Sequence, residues 1–126
     1  MHSSLTGITG LAVGYALDGL SMRHSAIATN IANANSPGYR PMRVSFENQL
    51  AGMLAEIKNE SSTTSSPNPP PPLVSLEPQV TELLRRNTVE NEMVQLNRNV
   101  LQYEALIKGL NKYSSTIATA INEGRR

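Results

Sequence analysis

Few residues in this chain are of types that could do chemistry, and their spacing decides what they could do. Of its 126 residues two are histidines, His2 and His24, and none is cysteine, which excludes disulfides and thiolate metal sites. With His2 in a Ser/Thr/Gly-rich start, His24 has no fellow ligand; its heptad spacing suits a polar layer that sets helix register. Serines and aspartate form no nucleophile elbow and no phosphate loop. Glu90 and Glu92, two apart on a helical pattern, face different sides. No catalytic, metal or cofactor-binding residue is read from the chain, so the expectation is a non-enzyme without cofactors. The remaining candidates are three amides, Asn30, Asn33 and Asn35, set among alanines. Such a flank allows close approach of a neighbouring chain with directed hydrogen bonds; equally, it could be a frayed, hydrated last turn. The residues leave both readings open.

These amides sit near the end of a segment that must be helical. Val13, Leu17, Leu20, His24, Ile27, Ile31 and Ala34 alternate steps of four and three, an a/d seam over an N-terminal helix at 11–35. Residues 1–10 read as a mobile segment. Pro37 pushes Ser36 out of the helical region and Gly38 permits positive φ, so the chain turns there before Tyr39. Residues 36–60 hold that turn, then an extended piece at Met42, Val44 and Phe46 that Pro41 confines to an edge, then a short helix capped by Ser45 with Phe46, Leu50, Leu54 and Ile57 at helical spacing. Residues 61–86 begin with Ser61 to Pro72, a Ser/Pro-rich linker that cannot bury a face; from Leu73 to Arg86 the signals are mixed and no element is assigned. Asn87 followed by Glu90 resembles a capping box and opens a C-terminal helix at 87–122. Val89, Met93, Leu96, Val100, Tyr103, Ile107, Leu110, Ser114, Ile117 and Ile121 keep its 4-3 rhythm. Residues 123–126 form a tail, where Arg125 and Arg126 suit the helix C-terminal dipole. The pair Arg85 and Arg86 could steer an acidic partner or be merely solvated.

With 4% aromatic residues and no tryptophan, the core must be small and built from aliphatic side chains. A net charge of +1, spread along the chain, offers no basic stripe for nucleic acid. No long apolar run supports a membrane span, and the start lacks the basic region of a cleaved signal. Two seams at opposite ends imply a mainly α fold: an elongated antiparallel, coiled-coil-like pair of N- and C-terminal helices with a poorly ordered, Pro-rich middle. Tyr15, Met22, Leu101 and Leu106 lie off the seams, so an isolated pair leaves apolar side chains wet and asks for further chains. A second reading is a soluble or secreted coiled-coil adaptor that uses the Pro-rich linker to bind a groove-bearing partner.

The run Ala32-Asn33-Ala34-Asn35-Ser36-Pro37-Gly38-Tyr39, within Ala28-Thr29-Asn30-Ile31, resembles the N-terminal signature of bacterial flagellar axial proteins, which include rod, hook and hook-associated subunits. Short length, no inserted outer domain and the Asn87-Thr88-Val89-Glu90 helix start look like a proximal rod subunit. Asn35 departs from the pattern, since family members often carry an acid there. The resemblance covers about residues 10–46 and 87–122. It implies a structural subunit that assembles with copies of itself and other rod proteins into a helical tube. That tube transmits torque and walls the export channel in the periplasmic part of the basal body. It further implies export without a cleaved signal and neighbours at the export gate or membrane ring, with no nucleic acid and no small-molecule substrate.

Overall fold

The computed structural model describes residues 8–58, 70–78 and 82–124. Helix α1 spans Ile8–Ala32, strand β1 Met42–Ser45, helix α2 Glu47–Lys58, strand β2 Leu73–Leu76 and helix α3 Glu82–Gly124. The fold is mainly helical, with its two long helices at either end of the chain. They run antiparallel: Asn99 of α3 bonds to Leu20 of α1, and Glu92 of α3 to Asn30 of α1. At 1.5 Å per residue α3 is about 65 Å long.

Several boundaries differ from the sequence reading. Helix α1 starts at Ile8, inside the stretch read as mobile, because extending a nucleated helix across Gly10 costs only about 1 kcal/mol. It ends at Ala32, not at 35. Ala34 N–H bonds to the Ile31 carbonyl and Ser36 N–H to the Asn33 carbonyl, so the last turn tightens into i−3 bonds and leaves the helix. Gly38 has φ 75°, the left-handed conformation that the turn needs. Helix α3 starts at Glu82, five residues before the expected cap at Asn87, and continues to Gly124. Leu83, Leu84, Arg85 and Arg86 are good helix formers, so propensity carries the helix back past Asn87. Ser45 is paired in β1 and does not cap α2; Phe46 precedes the helix, with its N–H taken by Glu47 Oε2 at 3.1 Å.

The unassigned region contributes a strand. Leu73–Leu76 pairs antiparallel with β1, in the register Met42↔Leu76, Arg43↔Ser75, Val44↔Val74 and Ser45↔Leu73. The core lies between α1 and the chain leading into α2, where Tyr15, Ala16, Leu20, Ala26, Val44 and Phe46 are buried, with Leu50, Met53 and Leu106 packed against them. Burying Val44 or Phe46 contributes roughly 1.5–3 kcal/mol each. The Phe46 ring meets Tyr15 edge-on at 6.4 Å and lies directly over Gly19.

The face of α1 that meets this ring is shifted by one residue from the hydrophobic seam. Ala12, Ala16, Gly19, Ala26 and Asn30 are buried, a 4-3 stripe of small and polar side chains. Leu20 and Ile27 are buried beside it; Val13, Leu17 and Ile31 are half-buried; His24 is exposed. His24 is therefore no buried polar layer, because Asn30 and Asn99 occupy that role.

Candidate functional site

Asn30 is the centre of a polar clamp that fixes the turn and strand to both helices. It is 1% exposed. Its Oδ1 accepts from the Tyr39 hydroxyl at 2.7 Å and from Met42 N–H at 2.8 Å. Its Nδ2 donates to the Met42 carbonyl at 2.9 Å and to Glu92 Oε2 at 3.3 Å. Two donors and two acceptors are all used, which is the full capacity of a side-chain amide. The Glu77 N–H bonds to the Pro41 carbonyl, which makes Met42 and Leu76 a non-hydrogen-bonded pair of the ladder; both backbone groups of Met42 therefore point away from β2, and the amide of Asn30 meets them as a substitute strand along the other edge of β1. Two residues on, the Val44 carbonyl accepts from Arg23 Nη2 at 2.7 Å.

Charge reinforces the clamp. Glu92 is fully buried, and its Oε1 forms an ion pair with Arg43 Nη2 at 2.5 Å. Arg43 Nε donates to Glu77 Oε1 at 2.8 Å, so one guanidinium links α3 to the residue following β2. Burial opposes the charge on Arg43, but hydrogen bonds and charge from Glu92 and Glu77 outweigh it and hold the guanidinium more firmly protonated. Burial pushes the Tyr39 hydroxyl up; Glu92 adds to this and Arg43 partly offsets it. At the other end Arg23 pairs with Glu47 at 2.5 Å and stacks 4.7 Å from the Phe46 ring centroid. Burial would raise the Glu47 carboxyl, yet the Phe46 N–H, Arg23 and its own backbone N–H bring it below the usual range. Burial also raises the Tyr15 hydroxyl, which donates to the Pro70 carbonyl at 2.9 Å.

Helix α3 is held by polar anchors and leaves apolar side chains outside. Among its described side chains Glu92 and Asn99 are buried, whereas Met93, Val94, Val100, Leu101 and Tyr103 are 38–66% exposed. The expected seam is thus rotated: Val89, Leu96, Ile107, Leu110, Ile117 and Ile121 are half-buried, and Met93, Val100 and Tyr103 face outward. The packed stripe of Glu92, Leu96, Asn99, Leu106 and Leu110, interrupted by the exposed Tyr103, has the same 4-3 spacing and is visible in the sequence. Hydropathy alone selects the neighbouring stripe, because Met93 and Val100 are apolar where Glu92 and Asn99 are not. The sequence reading does not single out Arg23, Arg43, Glu77 or Asn99, and it takes Glu92 only as half of an acid pair with Glu90.

The other amides behave differently from Asn30. Asn33 Nδ2 donates to the Thr29 carbonyl at 2.9 Å and stays within the turn, while Asn35, Pro37 and Gly38 are exposed. Strand β2 is exposed at every residue, including Leu73, Val74 and Leu76. Arg85 and Arg86 fall in the first turns of α3; His2, Arg125, Arg126 and most of the linker lie outside the described residues. Among the described residues no three His, Asp or Glu gather as a metal site, and no helix is long and apolar enough to cross a membrane.

A site built from polar anchors and outward apolar stripes can bind and hold, and among the described residues it presents no reacting constellation. No protein-family model matches the chain. The chain is 27% identical over 119 residues to the flagellar basal body rod protein FlgB of Bacillus subtilis (strain 168), covering 87% of this chain and 90% of that protein. It is 41% identical over 51 residues to the protein of the same name from Borreliella burgdorferi, covering 40% of this chain and 38% of that one. Over most of its length the chain is thus similar to one flagellar basal body rod protein, and over a shorter stretch to a second.

Proposed function

We propose that this chain is a structural subunit of the bacterial flagellar basal-body rod. It assembles with copies of itself and other axial proteins into a helical tube that transmits motor torque and walls the export channel. One observation carries the reading: α3 buries polar anchors against its own chain and turns Met93, Val94 and Leu101 to solvent. A monomer would gain by the reverse arrangement, whereas a subunit whose outer face is covered by neighbours needs this one. The similarity to rod proteins over most of both chains supports the same assignment. Stiffness then comes from long helices and repeated contacts, with α1 and α3 side by side in the tube wall.

The test is genetic. Deleting the chain in its source bacterium should abolish rods and swimming, and the wild-type chain should restore both. Val94→Asp with Leu101→Asp, both at exposed positions, should fold normally and fail to restore them. Rods and normal swimming in the deletion strain would overturn the proposal.

A further inference from the structure

We infer that the groove between α1 and α3 receives the outward face of α3 from a second copy of this chain, in a head-to-tail contact. The inference rests on the reading of the chain as an assembling rod subunit and names the surfaces by which copies meet.

The groove has a volume of about 350 Å³ and is lined by Leu20, Ser21, His24, Asn99, Tyr103 and Glu104, among others. Asn99 is 2% exposed, and its Nδ2 donates to the Leu20 carbonyl at 2.8 Å. A carbonyl can only accept, so the amide cannot be flipped and Oδ1 must point away from Leu20. That Oδ1 is buried and has no hydrogen-bond partner among the described residues. A buried acceptor left unpaired is unfavourable, and an incoming donor would relieve it. Glu104 sets an exposed carboxylate on the same groove, and Val100 and Tyr103 give it a wettable apolar wall. The complementary surface is therefore apolar and rich in donors, with positive charge.

The chain carries such a surface. Val94, Arg98, Leu101, Ala105 and Lys108 follow one another at four, three, four and three residues, all exposed. They form a stripe on the side of α3 away from Glu92 and Asn99, with no acid among them. Leu101, 66% exposed, supplies the apolar contact, and Arg98 the charge for Glu104 and the donor for Asn99 Oδ1. Val100 and Leu101 are consecutive and stand about 100° apart around the helix axis. The groove and the stripe thus face different directions on one copy and cannot meet each other. A contact between them needs two copies, and because it uses two different surfaces it does not close but propagates.

The test uses the full chain. Glu104→Lys and Arg98→Glu, both exposed, should leave the helical circular dichroism unchanged. Each should weaken concentration-dependent self-association in sedimentation velocity by roughly three- to tenfold, the range for a charge pair at a partly desolvated contact. The double variant R98E/E104K should recover. An equimolar mixture of the single variants should also recover, with unlike copies alternating, because the substituted groove of one variant meets the substituted stripe of the other and the two unsubstituted surfaces meet as in the native contact. Since the chain has no cysteine, copies with Tyr103→Cys mixed with copies with Leu101→Cys should form a disulfide between unlike copies. Self-association unaffected by both reversals, or no such disulfide in solution or in isolated basal bodies, would overturn the inference. So would trapping with a different rod protein alone. Normal rods with both charge reversals would remove this contact and leave the rod assignment standing.

Discussion

The buried carboxylate of Glu92 and the guanidinium of Arg43 face each other at 2.5 Å, joining α3 to the first strand. Removing one partner of a buried ion pair leaves an uncompensated charge, so Arg43→Ala should cost about 3–5 kcal/mol. Glu92→Leu should cost less, because Arg43 retains Glu77 and partial exposure. The double change R43M/E92L should recover much of the loss. Urea denaturation of the four proteins decides the matter; equal losses for the two single variants would contradict the asymmetry.

Gly19 is fixed by the ring above it. A Cβ there would come within 2.5 Å of two Phe46 ring carbons. Gly19→Ala should therefore destabilise by about 1–3 kcal/mol through overpacking, despite alanine's better helix propensity. Adding Phe46→Leu should reduce that penalty, measured as thermal midpoints of the single and double variants. A more stable Gly19→Ala protein would show that the ring is not seated there.

Asn30 holds the turn through four bonds, and Asp is its near-isostere. Asn30→Asp replaces both amide donors with an acceptor facing the Met42 carbonyl and Glu92 Oε2. It should cost about 1–3 kcal/mol or more, because a buried carbonyl loses its partner beside like charge. Hydrogen exchange at Met42 and Tyr39 should accelerate ahead of exchange within α1. Uniform acceleration along the chain would count against a local clamp.

Two limbs of pH dependence follow. Glu47 has a lowered carboxyl value in the folded state. Its stabilisation is thus present above the unfolded carboxylate value and is lost as pH falls through the folded one. Tyr15 and Tyr39 have raised hydroxyl values, so their contribution is present below the unfolded tyrosine value and is lost as pH rises through the folded ones. Glu47→Gln should flatten the acid limb and Tyr39→Phe the alkaline limb of a stability profile against pH. Unchanged limbs in these variants would refute the assignment.

Much of this architecture was legible because it repeats. The 4-3 spacings in both terminal thirds announce two long helices, and Pro37 with Gly38 announces the turn that divides α1 from β1. What could not be read was which face of each helix is used. Hydropathy favours Met93 and Val100, but the strand edge offers Arg43 and the carbonyl row of α1, and these are answered by Glu92 and Asn99. Strand β2 was hidden for a related reason. Leu73 to Leu76 is a strand only because β1 supplies its partner, information that lies more than 25 residues away. The clamp is equally nonlocal, since Asn30 and Glu92 are separated by 62 positions.

Whether this chain is built into the rod can be seen in a density map of isolated basal bodies. In that map α1 and α3 should fit side by side in the wall of the proximal rod, with Val94 and Leu101 covered by a neighbouring subunit. Complete proximal rods whose density contains no copy of this chain would contradict it.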